Sequence, residues 1–107
     1  MFTKIQHLFK FLQIVNKFTM EKLRKILKPS NLRILFLLES GEKRWSDLEK
    51  VMNKKQVSES LKELMGLKLV RAEERKRGLQ TYKVYSLTKK GRALVREMRR
   101  IQKILEE

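Results

Sequence analysis

Nine polar residues of this chain fall into two clusters whose types suit one kind of chemistry, the grip on a polyanion with a base-paired interior. The first cluster is Lys54, Lys55, Gln56, Ser58, Glu59 and Lys62. Interleaved with Val57, Leu61 and Leu64, these residues occupy the outward side of a helix whose inner face is apolar. A glutamine amide can donate to and accept from adenine at once, so Gln56 is the expected base reader. Ser58 can bond a base or a phosphate, and Lys54, Lys55 and Lys62 can hold phosphates. Glu59 is the odd member. It would repel phosphates, but can accept from a cytosine amino group or pair with Lys55 or Lys62. The second cluster is Arg75, Lys76 and Arg77. Next to Gly78 it reads as a hairpin tip, where consecutive cations suit a phosphate backbone or a narrow minor groove. Each cluster has a plainer explanation, a solvated helix face for the first and a charge-guarded hairpin edge for the second. Three adjacent cations exceed what guarding an edge requires.

Catalysis and metal binding have weaker support. Ser46 and Glu49 resemble a nucleophile and a base, but no histidine stands by the serine; their spacing fits a helix capping box instead. As the start of a helix, Ser46 could touch a phosphate. The chain has no Cys and a single His, His7, which argues against disulfides, thiol chemistry and zinc. No catalytic residue, metal or cofactor is expected.

The elements that would carry these clusters follow from periodicity. Ile5, Leu8, Phe9, Leu12 and Val15 form a helical stripe, and Thr19 is a candidate cap for a short helix over residues 20–28 with Leu23, Ile26 and Leu27 inward. Pro29 should stop it. Ser30 or Asn31 should cap a largely apolar helix, residues 32–40, ended by Gly41. A short extended piece spans 43–45, and a helix over 47–52 should bury Leu48, Val51 and Met52. After a turn at Asn53, a helix over 54–65 should bury Val57, Leu61, Leu64 and Met65 and close at Gly66. Strands over 69–75 and 80–87 form the hairpin, and Thr88 caps a last helix bearing Ala93, Leu94, Val95, Met98, Ile101, Ile104 and Leu105. The expected fold is mainly α with a small β-hairpin, a winged helix-turn-helix with extra N- and C-terminal helices. With 107 residues it should be one domain. Residues 1–28 form an N-terminal extension, 31–88 the helix-turn-helix and wing, and 89–107 the C-terminal helix.

Charge sharpens the expectation. The chain carries 27 Lys and Arg against 12 Asp and Glu, a net charge of +15. Such an excess points to partners such as nucleic acid or an anionic surface. It is uneven: residues 1–30 and 67–91 each carry a net +6, whereas residues 31–66 carry only +1. If the partner is DNA, phosphate neutralisation would therefore rest largely on the hairpin and the helix ends. No run approaches the ~18 apolar residues of a membrane span, and the first residues interleave lysine with apolar residues rather than forming a secretory signal. The expected location is the cytoplasm.

The segments RWSDLEKVM, QVSESLKELMGLKLV and YSLTKKGRAL, in this order, resemble the winged-helix transcriptional regulators of bacteria and archaea, of MarR, ArsR and HxlR type. The resemblance covers about residues 31–95. It implies a homodimer on a near-palindromic operator in double-stranded DNA, with repression or activation of nearby genes; that no nucleophile–base pair, metal cluster or phosphate loop is visible argues separately against an enzyme. The chain departs from ArsR-type metal sensors, which use Cys and His clusters, and from HxlR-type proteins, which usually carry an N-terminal Cys. For the dimer, Ile5, Leu8, Phe9, Leu12 and Val15 are expected to pack on Met98, Ile101 and Leu105 of a second copy, in preference to lying on a membrane. The competing function is a winged-helix module for protein contacts within a transcription or chromatin complex, suggested by the near-neutral core and Glu59. No effector ligand can be named from the sequence.

Overall fold

A computed structural model describes residues 17–107, so the expected stripe from Ile5 to Val15 lies outside the described residues. Helix α1 occupies residues 17–26. It is followed by α2 (Pro29–Leu38), β1 (Lys43–Arg44), α3 (Trp45–Glu49), α4 (Lys54–Gly66), β2 (Val70–Arg77), β3 (Gln80–Leu87) and α5 (Lys89–Glu106). The sheet has the order β1-β3-β2 and is antiparallel throughout, with Lys43 opposite Tyr85 and Val70 opposite Leu87. This is the helical fold with a small sheet that the sequence pattern predicts.

The core forms where the helices meet the sheet root. Ile34, Leu35 and Leu38 of α2, Leu48 of α3, Val57, Leu61 and Leu64 of α4, Val70 and Leu87 of the hairpin and Val95 of α5 are all buried. Removing that apolar surface from water holds the layers together.

Several boundaries differ from expectation for identifiable reasons. Pro29 does not merely stop the preceding helix; it begins the next one as its first residue, where a missing N–H costs nothing. Lys28 is extended (φ −58°, ψ 134°), as the residue before a proline must be. Ser30 and Asn31 therefore lie inside α2 and cap nothing. Asn31 is fully buried and its Nδ2 donates to the Lys25 carbonyl at 2.6 Å, which ties the end of α1 to α2. Thr19 likewise lies within α1 and is no cap. Leu23 and Leu27 are exposed, and among the described residues of α1 only Ile26 is buried in the core.

The expected box of Ser46 with Glu49 is replaced by one set two residues earlier. The Asp47 carboxylate accepts the Arg44 N–H at 3.0 Å, so α3 begins at Trp45. Glu49 accepts from the Trp45 indole instead. The short α3 then gives way to a turn in which Val51 and Met52 both donate to the Leu48 carbonyl. That turn points Val51 outward and Met52 inward.

Helix α4 ends differently too. Gly66 is its last residue, Met65 is exposed, and Ser60 takes the inner place between Val57 and Leu61. Lys68 N–H donates to the Met65 carbonyl and Leu69 N–H to the Leu64 carbonyl, the paired bonds of a Schellman turn. Lys68 takes the left-handed position, with φ 62°. A side chain is strained there, so Lys68→Gly is expected to raise stability by about 0.5–1 kcal/mol, measured by denaturant unfolding. A lower midpoint would show that the lysine side chain contributes more than its backbone costs.

Candidate nucleic-acid interface

The helix that carries the first cluster starts at a side-chain cap. Asn53 is extended, and its Oδ1 accepts the Gln56 N–H at 2.8 Å. This satisfies one of the otherwise free donors of the first turn and fixes where the helix begins. Burial of Val57, Ser60, Leu61 and Leu64 then sets the rotation of α4. As a result Lys54, Lys55, Gln56, Ser58, Glu59 and Lys62 are all exposed. Among the described residues none of these six side chains makes an ion pair, so of the two alternatives for Glu59 the pairing with Lys55 or Lys62 is not formed. Glu63, one residue beyond Lys62, is half-buried and takes the Lys28 ammonium at 2.8 Å.

The hairpin is longer than expected. Both strands have 8 residues, and the register runs to Arg77 opposite Gln80. Lys76 and Arg77 therefore belong to β2, and the reversal is made by Gly78 and Leu79 alone. Gly78 has φ 64°, the left-handed value that two-residue hairpins demand of their first turn residue. Leu79 stands at the apex, fully exposed.

The three wing cations divide. Arg75 is half-buried and committed: Nη1 donates to Glu73 at 2.6 Å and Nη2 to Glu42 at 3.2 Å. The hydrogen bond from Arg75, then the nearby Arg71 charge, holds the Glu73 carboxyl below its ordinary range, and the same contact with Glu73 raises the Arg75 guanidinium. Arg75 thus braces the wing against the segment before β1. Lys76 and Arg77 are exposed and unpaired among the described residues.

Ser46 is exposed in the first turn of α3. Beside it, Arg44 lies over the Tyr82 ring, 3.9 Å from its centre. This cation was not legible in the sequence. Arg44 comes near Tyr82 only because β1 pairs with β3, Arg44 opposite Val84, and no local pattern encodes that pairing.

Among the described residues, apolar side chains are exposed on α5 and on α1. Helix α5 presents Ile101, Ile104 and Leu105 to solvent, with Met98 half-buried on the same side. Met98, Ile101 and Leu105 line a groove of about 320 Å³ together with Leu27, Leu32 and Phe36. Helix α1 also exposes Phe18 and Met20.

Helix α5 is fastened to the C-terminal end of α2 by charge. Arg99 Nη2 and Nε donate to Glu39 Oε1 at 2.7 and 3.0 Å, and its guanidinium lies 4.2 Å from the centre of the Phe36 ring. The Arg99 hydrogen bond is the main reason the Glu39 carboxyl sits below its ordinary value of 4.5. A carboxyl so depressed stabilises the fold above the value it has when unfolded, and the contribution is lost as pH falls through the folded-state value. Glu39→Gln is therefore expected to lower the unfolding midpoint at pH 7 while flattening its decline below about pH 4.5. Parallel pH profiles for the two proteins would contradict that account.

Comparison with known proteins agrees with this architecture. No curated protein sequence matches the chain. Among solved structures, the reduced form of the transcriptional regulator YodB from B. subtilis is similar at 26% identity and a TM-score of 0.70, over 78% of this chain and 83% of that one. A protein assigned to the MarR family of transcriptional regulators, from Enterococcus faecalis, superposes with a TM-score of 0.74 at 22% identity, over 85% of this chain and 84% of that one. The transcriptional repressor BigR from Xylella fastidiosa covers 92% of this chain and 96% of its own at a TM-score of 0.69 and 21% identity. Among the described residues no helix is long and apolar enough to cross a membrane. The family model for the HxlR-like helix-turn-helix matches residues 26–107, and the chain belongs to that family of transcriptional regulators.

Proposed function

We propose that the protein is a homodimeric, sequence-specific binder of double-stranded DNA that regulates transcription. The observation that carries this reading is the exposure of Lys54, Lys55, Gln56, Ser58, Glu59 and Lys62 on α4, capped at Asn53, with no ion pair to them or to Lys76 and Arg77 of the wing among the described residues. In this reading Gln56 and Ser58 meet base edges, while Lys54, Lys55, Lys62, Lys76 and Arg77 hold phosphates. Arg75 supports the wing, and Ser46 and Arg44 lie where a flanking phosphate could be met. Glu59 selects rather than attracts, accepting from cytosine where one is offered and repelling elsewhere.

The dimer reading rests on the uncovered apolar groups of α1 and α5. A monomer would leave Ile101, Ile104 and Leu105 in water, and a second copy would remove them from it. Ile5, Leu8, Phe9, Leu12 and Val15 would join that interface. Two copies of α4 about 34 Å apart could then enter successive major grooves. No residue is assigned a catalytic role, and a cytoplasmic location follows from the regulatory reading.

The test is selection of bound duplexes from a random pool, with the mass of the complex measured alongside. An enriched two-fold motif bound by two protomers is expected. Gln56→Ala should then relax preference at one position of each half-site, by about 1–3 kcal/mol of discrimination. Failure to bind any duplex at low salt would favour the protein-contact module instead.

A further inference from the structure

Helix α5 carries a second surface that the duplex reading does not use. Leu94, Met98, Ile101 and Leu105 form one stripe, and Arg92, Arg96, Arg99 and Lys103 repeat the same 4-3-4 spacing two residues out of step, on the opposite side of the helix. Where this cationic stripe meets the body of the protein it borders a depression of about 300 Å³. Arg92, Arg96 and Arg99 stand around it with Glu39, and Leu87 and Val95 lie beneath.

The charges in this depression do not balance. Arg99 is matched by Glu39, which takes two of its donors. Arg92 and Arg96, one turn apart, have no acidic partner among the described residues, and residues 1–16 contain no Asp or Glu to supply one. Like charges four residues apart on a helix repel each other. A bound anion would turn that repulsion into a shared attraction, and guanidinium pairs suit the oxygens of a phosphate. Two unmatched positive charges call for a dianion. The buried apolar side chains beneath call for a ligand with a carbon body as well.

We infer that the depression formed by Arg92, Arg96, Leu87 and Val95 is a binding site for a small organic phosphate monoester, its dianionic head on the two arginines and its apolar group against the floor. The site lies at the root of the hairpin, beside Leu87, whereas the wing tip is seven residues away along the strand. At about 3.3 Å per residue that separates the two by about 23 Å, so the ligand and a duplex on the wing tip would not compete for the same side chains. The inference goes beyond the DNA-binding reading and stands without it.

The test is a titration of the free protein at constant ionic strength with phenyl phosphate, inorganic phosphate and benzoate, followed by calorimetry and by the methyl resonances of Leu87 and Val95. Phenyl phosphate should bind more tightly than inorganic phosphate, which lacks a carbon body, and than benzoate, which has one charge. Both methyl-bearing residues should shift. Arg92→Gln with Arg96→Gln should weaken phenyl phosphate about tenfold or more, while Arg24→Gln with Lys25→Gln, removing equal charge from α1, should leave it unchanged. Glu39→Gln, which releases Arg99, should tighten it. Equal binding of inorganic phosphate, equal weakening in the two double variants, or no binding of the ester at all would overturn the proposal. None of these results depends on whether the protein binds DNA.

Discussion

Replacing Gly91 with alanine is expected to destabilise the protein by about 3 kcal/mol or more, although alanine is the better helix former. Gly91 lies in the first turn of α5, whose backbone crosses directly over the exit from α4. A Cβ built there would stand 2.1 Å from the Leu69 carbonyl oxygen and 3.0 Å from its carbon. Both are backbone atoms, and they cannot swing aside. The Leu69 oxygen is itself fixed, because it accepts the Thr88 N–H at 3.0 Å. Thr88 closes the joint from the other side. Its hydroxyl oxygen accepts the Gly91 N–H at 3.0 Å, and the hydroxyl donates to the Lys68 carbonyl at 2.7 Å. The clash would separate α5 from the sheet root or unwind its first turn. At about 4 °C per kcal/mol or more for a domain of this size, thermal unfolding should show a drop of about 12 °C or more. An unchanged or raised midpoint would mean that the helix and the Leu69 backbone do not approach each other as described.

The second large effect concerns the wing. Lys76→Ala with Arg77→Ala should weaken binding to every duplex alike and reduce the slope of log affinity against log salt by about 1.8, since each phosphate that a cation neutralises adds about 0.9 to that slope. Sequence preference should survive, because neither residue is assigned to a base edge. Arg75→Ala should act differently. Arg75 is bonded to Glu73 and Glu42, so its removal frees two carboxylates near the wing and also takes away a brace. A double variant that kept its full salt slope would show that the tip is not on the phosphates.

These two predictions also mark what the sequence reveals and what it hides. The order of elements was legible because each carries its own period. Apolar residues recur at helical spacing in α2, α4 and α5, and Gly78 marks the reversal between two strands. The cap at Thr88 was legible for the same local reason. The importance of Gly91 was not, because a carbonyl more than twenty residues earlier sets it. The double role of Pro29 is not legible, because a proline can end one helix and begin another and only tertiary context chooses. Spacing alone places Val51 and Met65 in the core. They are exposed because α3 ends early at Glu49 and because α4 presents Ser60 to the interior instead. For the candidate interface, residue types and their outward rotation on α4 could be read from alternation with Val57, Leu61 and Leu64. The division of the wing between a bracing Arg75 and unpaired Lys76 and Arg77 could not, since Glu42 lies far along the chain.

The nearly neutral helix-turn-helix segment gains a meaning from this division. The net charge of residues 31–66 is only +1, so in the DNA-binding reading α4 would attract a duplex only weakly by itself. Affinity would come mainly from the wing cations Lys76 and Arg77, with Lys54, Lys55 and Lys62 adding to them, and selectivity from Gln56, Ser58 and Glu59. Such an arrangement gives steep salt dependence with modest non-specific retention by the reading helix.

The most direct measurement is a titration of the isotopically labelled protein with a selected duplex, monitored residue by residue through backbone amide resonances. The largest shifts should fall on residues 54–62 and on 76–80, with Gln56 and Arg77 among them. Shifts confined to other surfaces, or none at all at low salt, would contradict the assignment of α4 and the wing tip to DNA.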